Sequence, residues 1–292
     1  MSPRPETHRE PLANLGGAIL PLAEVRISAL DRGFLFGDGV YEVLRVYQPR
    51  PWLEEEHFAR LANSLRAVRI DGVDLMCLRR RMHDTTKAGP FLDATAYIQI
   101  TRGSGLRTHF FPEPATPLEF LFVQDFADPY QEVREVGAGV ITHPDLRWQR
   151  CDIKSINLLA NVLAAEAAKE AGCKEALLYR PDGSLTEGTH SSLFGVFSDM
   201  LVAPPNGPAI LPGLTRELIV RLATKEGIRF REQTMNRQEL DRVSELFLTG
   251  TTSEVLPVVR VDGRPIGDGR PGPITRKLQR AYAQAVATFV GA

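Results

Sequence analysis

The sequence holds 35 basic residues, only six of them lysines, and five of those six have ordinary positions. Lys87 precedes Ala-Gly-Pro, where a helix should end. Lys169, Lys174 and Lys225 lie near Gly172 and Gly227, where cations suit a helix C-terminus. Lys277 stands beside Arg276 and Arg280 in a polar helix. Lys154 differs: it interrupts Arg150-Cys151-Asp152-Ile153-Lys154-Ser155-Ile156-Asn157, directly before a strongly apolar helical pattern. A lysine held there as a neutral amine is a nucleophile for carbonyl carbon. Taken alone, it reads first as structural.

Other residues become informative only in combination. Glu187, in Leu185-Thr186-Glu187-Gly188-Thr189-His190, alone would be a strand carboxylate at the surface. Arg60 falls off the apolar stripe of its helix and alone would be solvated. Gly213-Leu214-Thr215 opens a helix, where free backbone N–H groups and a hydroxyl favour an anion, although Thr215 would serve equally as an N-cap. Gly250-Thr251-Thr252 follows a strand and alone reads as a loop. Together they supply an amine for an imine, a carboxylate to keep a ring nitrogen protonated, and an arginine with two turns to hold a phosphate. Pyridoxal 5′-phosphate requires that set.

The elements that must position these residues follow from periodicity. Residues 1–12 read as a flexible tail, and Gly16-Gly17 as a hairpin turn. Val40, Glu42, Leu44 and Val46 alternate on one face of a strand, with Tyr41, Val43, Arg45 and Tyr47 on the other. A strand after Gly37-Asp38-Gly39 argues against a dinucleotide or P-loop motif. Phe58, Leu61, Leu65 and Val68 stripe one helix, and a second covers 75–87. Strands at 94–101 and 118–124 flank a loop carrying Arg102, Arg107 and His109. This order predicts a small N-terminal α/β domain over 13–124, a linker at 125–133 and a larger domain over 134–292. In the latter, Ser155 is expected to cap a helix with Ile156, Leu159, Leu163 and Ala167 at helical spacing and Gly172 as its stop. Lys154 would then sit at the positive end of that helix dipole, which favours the neutral amine.

Composition sets the class. A chain of 292 residues, 43% hydrophobic and 24% charged with net charge −1, is expected to be soluble and gives no reason to expect nucleic acid or membrane as a partner. Cys77, Cys151 and Cys173 show neither metal-ligand spacing nor a disulfide framework. The residues before Glu10 lack the apolar core of a secretory signal, so a cytoplasmic location is expected.

At this point the chain resembles the fold-type IV pyridoxal-phosphate enzymes. The motifs are Asp31-Arg32-Gly33, Phe36-Gly37-Asp38-Gly39-Val40-Tyr41-Glu42, Asp152-Ile153-Lys154-Ser155, Thr186-Glu187-Gly188, Gly213-Leu214-Thr215-Arg216 and Thr251-Thr252-Ser253-Glu254. The resemblance implies a two-domain mixed α+β and α/β fold, with a β-barrel-like second domain. It makes Lys154 the Schiff-base lysine, Glu187 the ring-nitrogen partner, and Arg60, Thr215, the Leu214 N–H and Thr251 the phosphate ligands. Thr252 joins the substrate residues, and Gly250 replaces a serine of D-amino acid aminotransferases.

Within that family the loop with Arg107 and His109 is similar to that of D-amino acid aminotransferases, in which the neighbouring subunit supplies both residues to the substrate carboxylate. That implies a homodimer with shared sites and ping-pong transfer of an amino group from a D-amino acid to an α-keto acid. Phe34 stands where a carboxylate-binding tyrosine is expected, which would admit (R)-primary amines. His190 and Ser192 also depart from the family pattern. The rival readings are a branched-chain L-amino acid aminotransferase, an (R)-amine transaminase, an aminodeoxychorismate lyase, and a catalytically silent scaffold.

Overall fold

In a computed structural model of the chain, residues 10–291 are described. Two compact units are present: the chain to Ala127 together with Ile153–Asn157, and Asp128–Asp152 together with Leu158 onward. The expected tail falls largely outside the described residues, and strand pairing begins at Leu12.

The first unit contains β1 (Leu12–Leu15), β2 (Ala18–Pro21), α1 (Arg32–Phe36), β3 (Gly39–Tyr47), β4 (Arg50–Pro51), α2 (Glu54–Val68), α3 (Leu75–Ala88), β5 (Asp93–Thr101) and β6 (Leu118–Asp125). Its six strands are ordered β2-β1-β6-β5-β3-β4. The first hairpin turns at Gly16 (φ 60°) and Gly17 (φ 102°), conformations that favour glycine. On β3 Val40, Glu42, Leu44 and Val46 are buried as the alternation predicts, and Arg45 of the opposite face is buried as well. Val40, Leu44 and Val46 join Phe58, Leu61 and Leu65 of α2, and Leu78 and Met82 of α3, in one core. Asp31, accepting from the Gly33 N–H, caps the short α1.

The second unit contains α4 (Gln131–Val136), β7 (Ala138–Pro144), α5 (Leu159–Glu170), β8 (Glu175–Tyr179), β9 (Leu185–Gly188), β10 (Ser192–Phe197), β11 (Met200–Ala203), α6 (Leu214–Lys225), β12 (Arg229–Glu232), β13 (Glu245–Gly250), β14 (Glu254–Val261), β15 (Arg264–Pro265) and α7 (Pro273–Gly291). The sheet runs β12-β11-β10-β13-β14-β7-β8-β9, with β15 on β14. A tight turn, in which the Gly188 N–H donates to the Ser191 carbonyl at 2.8 Å, joins terminal β9 to interior β10, so the sheet curls on itself. The segment expected as a linker, 125–133, contains the end of β6 and the start of α4.

The helix expected after Lys154 begins later and faces differently. α5 starts at Leu159 with no side-chain cap. Ser155 instead bridges to Val40, and Asn157 Nδ2 donates to the Gly37 carbonyl, bonds that keep 155–157 out of a helix. Ala164 and Ala168 form the buried face, against Ala176 and Leu178. Leu159, Val162 and Leu163 are 72%, 58% and 59% exposed.

Candidate active site

The segment Ile153–Asn157 belongs with the first unit, and backbone bonds hold it beside the start of β3. The Lys154 N–H donates to Ser64 Oγ (3.2 Å), its carbonyl accepts from the Tyr41 N–H (3.0 Å), and the Ile156 N–H donates to the Gly39 carbonyl (3.1 Å). Gly39 makes this approach possible: a Cβ there would stand 2.7 Å from the Ile100 carbonyl oxygen and 3.0 Å from Ile156. Ile153 anchors the segment in the core. Lys154 Nζ lies 4.2 Å from the centre of the Tyr41 ring. The lysine therefore owes its position to strand-like pairing, and the helix dipole invoked from sequence does not act on it.

Next along β3, the inward Glu42 carboxylate is satisfied by two side chains from α2, the Arg60 guanidinium and the His57 imidazole. Arg60 donates from Nε to Oε1 and from Nη2 to Oε2, both at 2.8 Å, and His57 Nδ1 lies 2.7 Å from Oε2. Burial would raise the Glu42 carboxyl, but Arg60 and His57 outweigh it and hold the group well below the usual carboxylate range. Burial also lowers His57 toward its neutral form, against the pull of Glu42. Arg60, expected to be solvated on pattern alone, is 7% exposed.

The substrate candidates of this unit are Phe34, Arg107 and His109. Arg107 and His109 are exposed on the loop between β5 and β6. The Phe36 ring lies 5.5 Å from the Arg107 guanidinium carbon and 5.7 Å from the His109 ring. Phe34 is 78% exposed on α1, and the Tyr41 ring lies against the Lys154 amine.

In the second unit Glu187, on β9, is buried. Its carboxylate pairs with Arg147 Nη1 and accepts from the Leu211 N–H at 3.1 and 3.2 Å. Arg147 is itself gripped by Asp145, Nε to Oδ1 and Nη2 to Oδ2, each 2.9 Å; Thr186 Oγ1 also donates to Asp145 at 2.9 Å. Burial pushes the Glu187 carboxyl up to about 7 despite the guanidinium. A buried carboxylate in this condition gains from one further N–H donor, which a pyridinium nitrogen supplies.

The two threonine turns meet across Ser192. Ser192 is opposite Thr249 in the β10–β13 register, and a Cβ on Gly213 would stand 2.3 Å from Ser192 Oγ. Gly213 precedes α6 without a side-chain cap, so the first N–H groups of that helix, at Leu214 and Thr215, can take an anion. Ser253 Oγ and Thr249 Oγ1 are buried without a hydrogen-bond partner. Thr251 and Thr252 are half-buried beside them. An uncapped helix start beside orphaned hydroxyls fits a phosphate group.

Sequence reasoning missed Arg147, Asp145, His57 and Glu42 as parts of these sets. Glu42 carried a signal, being a carboxylate on the inward face of an apolar strand. Arg147 carried none beyond the need of a buried Glu187 for a cation.

The first unit, an antiparallel sheet, carries the strand-held lysine, and the second, a mixed sheet, carries the buried carboxylate and the phosphate-type turns; each holds residue types that a pyridoxal-phosphate enzyme of fold type IV uses. The model of the amino-transferase class IV family matches residues 39–261, and the chain belongs to that family, whose cofactor is pyridoxal 5′-phosphate. Among curated relatives it is 36% identical over 274 residues to the D-alanine aminotransferase of Bacillus licheniformis, covering 92% of this chain and 95% of that one. It is also 36% identical over 277 residues to that of Staphylococcus aureus strain N315, covering 93% and 96%. Among solved structures it is similar to the branched-chain amino acid aminotransferase of Escherichia coli, with a TM-score of 0.88 at 25% identity over 94% of each chain. The T.th. branched-chain enzyme, solved with pyridoxamine 5′-phosphate, gives a TM-score of 0.87 at 26% identity, over 96% of this chain and 95% of that one.

Proposed function

We propose that this aminotransferase takes its amino group from a D-amino acid and passes it to an α-keto acid. The substrate class is supported by the D-alanine aminotransferase relatives, at 36% identity over nearly the whole chain, against 25–26% for the branched-chain enzymes. The observation that carries the chemistry is the amine of Lys154, fixed through its own backbone on two sides and laid against an aromatic ring.

When bound, pyridoxal phosphate supplies a carbonyl for the amine and an electron sink for the substrate α-carbon. The residues of the chain do the rest. Lys154 would hold the cofactor covalently, and its free amine would move a proton to or from the substrate α-carbon. Glu187, backed by Arg147, keeps the ring nitrogen protonated. Arg60, Thr215, the Leu214 N–H and Thr251 hold the phosphate. Arg107 and His109 bind the substrate carboxylate, a planar group suited to a guanidinium fork, and Phe34 and Thr252 complete the contacts to the substrate. Phe34, in place of a carboxylate-binding tyrosine, is expected to admit (R)-primary amines as additional donors.

The working form in this reading is a cytoplasmic homodimer whose partner supplies Arg107 and His109. Its support is the exposed apolar face of Leu159, Val162 and Leu163, together with Leu106 and Phe110, each 82% exposed on the arginine loop. The deciding experiment follows the absorbance of the bound cofactor on addition of D-alanine or L-leucine. Conversion to the pyridoxamine form by D-alanine is expected; conversion by L-leucine alone would make this a branched-chain enzyme. Release of pyruvate from aminodeoxychorismate with no keto acceptor would make it a lyase.

A further inference from the structure

The loop with Arg107 and His109 is exposed, yet its backbone is tied down by a buried charge cluster. Asp38 receives two guanidiniums: Arg32 donates from Nε to Oδ2 at 2.8 Å, and Arg102 from Nε to Oδ2 at 2.9 Å and from Nη2 to Oδ1 at 3.0 Å. Both arginines are nearly inaccessible, at 4% and 3% exposure. Burial would raise the Asp38 carboxyl, and the two arginines hold it below its ordinary value. One carboxylate cannot satisfy all the N–H donors of two guanidiniums, so the remainder must find carbonyls. Arg102 donates to the Arg69 and Val68 carbonyls, both at 2.7 Å, at the end of α2. Arg32 turns to the loop instead. Its Nη1 donates to the Thr108 carbonyl at 2.7 Å and the Phe110 carbonyl at 3.2 Å.

Those two carbonyls lie on either side of His109. The Arg32 guanidinium also rests 4.7 Å from the centre of the Phe36 ring, the ring that lies beside both His109 and Arg107. The loop enters through Gly103 (φ 87°), whose Cβ would stand 1.8 Å from the Thr116 carbonyl oxygen, and whose own carbonyl accepts from the Arg32 N–H at 2.9 Å.

We propose that Arg32, anchored on Asp38, is the positioning residue for the substrate-carboxylate loop, holding the backbone on both sides of His109 and, through Phe36, the side chains of Arg107 and His109. This rests on the reading of Arg107 and His109 as carboxylate ligands. A guanidinium is needed because one group must reach a carboxylate and two carbonyls in fixed directions. A lysine keeps the charge and loses the fork.

The test compares Arg32→Lys with the wild type as holoenzyme, by D-alanine kinetics and by hydrogen exchange of residues 103–111. The expected result is a KM for D-alanine raised by about tenfold or more, kcat within about threefold, and faster exchange in 103–111. An unchanged KM, or a fall in kcat at constant KM, overturns the proposal, because partial misfolding removes active enzyme without altering KM. Arg107→Ala is the control on the underlying reading. If it leaves KM unchanged, the carboxylate assignment fails, and exchange alone then judges the clasp: faster exchange in Arg32→Lys supports it and unchanged exchange overturns it. Should Arg32→Lys fail to fold, Phe36→Leu, which removes the intervening ring and keeps the buried charges, is read by the same two measurements.

Discussion

Arg60 meets Glu42 through two parallel hydrogen bonds, Nε to Oε1 and Nη2 to Oε2, each 2.8 Å long. The guanidinium proposed to hold the cofactor phosphate is thus oriented from behind by a carboxylate one residue beyond Tyr41, the ring against Lys154. Glu42→Gln keeps the shape and removes the charge, leaving a buried cation without its counterion. Breaking a buried pair from one side costs about 3–5 kcal/mol. A large drop in the urea midpoint is expected, with a weakened cofactor Kd. Loss of stability at unaltered cofactor affinity would show that the pair has no part in phosphate binding.

Glu187 makes stability depend on pH in a definite direction. Its folded value is pushed up to about 7, above the ordinary 4.5, so the native state binds this proton more tightly than the unfolded chain. That contribution is present in full below about pH 4.5 and is lost as pH rises through about 7, a change on the order of 3 kcal/mol. Cofactor-free protein should therefore lose more stability between pH 5 and pH 8 than Glu187→Gln does, by urea unfolding. Equal slopes in the two proteins would refute the assignment. Bound cofactor should flatten the wild-type slope, since a cationic ring N–H favours the ionised carboxylate.

Much of this is legible in the residues. The alternation of Val40, Glu42, Leu44 and Val46 is a period-2 signal written by burial, and β3 carries it. Phe58, Leu61 and Leu65 place α2 in the same way. The chemistry-bearing residues are legible because their types form a set. What is not legible depends on distant contacts. Arg147 reaches Glu187 across 40 residues, and nothing local distinguishes it from the other arginines. Asn157 leaves the helical pattern because Gly37, 120 residues earlier, offers a carbonyl. The apolar stripe at Leu159 and Leu163 predicts a core face, yet it is exposed, because periodicity reports that a face is apolar and not what covers it.

That exposed stripe carries its own prediction. Leu163 is 59% exposed, so Leu163→Lys should leave the fold of one chain intact. In a two-fold pair the substitution occurs in both copies, and each lost leucine burial is worth about 1.5–3 kcal/mol. The proposed dimer should dissociate at concentrations at least tenfold higher than for the wild type, with transaminase activity falling in parallel as the contribution proposed for Arg107 and His109 of the partner subunit is lost. Sedimentation at several concentrations measures the first and steady-state rates the second. A species of unchanged mass in the variant would exclude this face from the interface.

Gly250 offers a gain of function. It ends β13, and its conformation is not one that requires glycine. A Cβ there would stand 2.8 Å from Ser253 Oγ, with the next atoms 3.7 and 3.9 Å away. Ser253 Oγ is buried and has no hydrogen-bond partner, so it gives up nothing by turning aside, and a new hydroxyl at 250 would bond it or the phosphate. Gly250→Ser should fold normally. One added hydrogen bond to an anion is worth about 1.5–3 kcal/mol net, or about tenfold or more in cofactor affinity. The measurement is the Kd of pyridoxal phosphate for the cofactor-free proteins, by fluorescence quenching of Trp52 and Trp148. Weaker binding in the variant, with the fold intact, would place the phosphate away from this turn and return Thr251 to an ordinary loop residue.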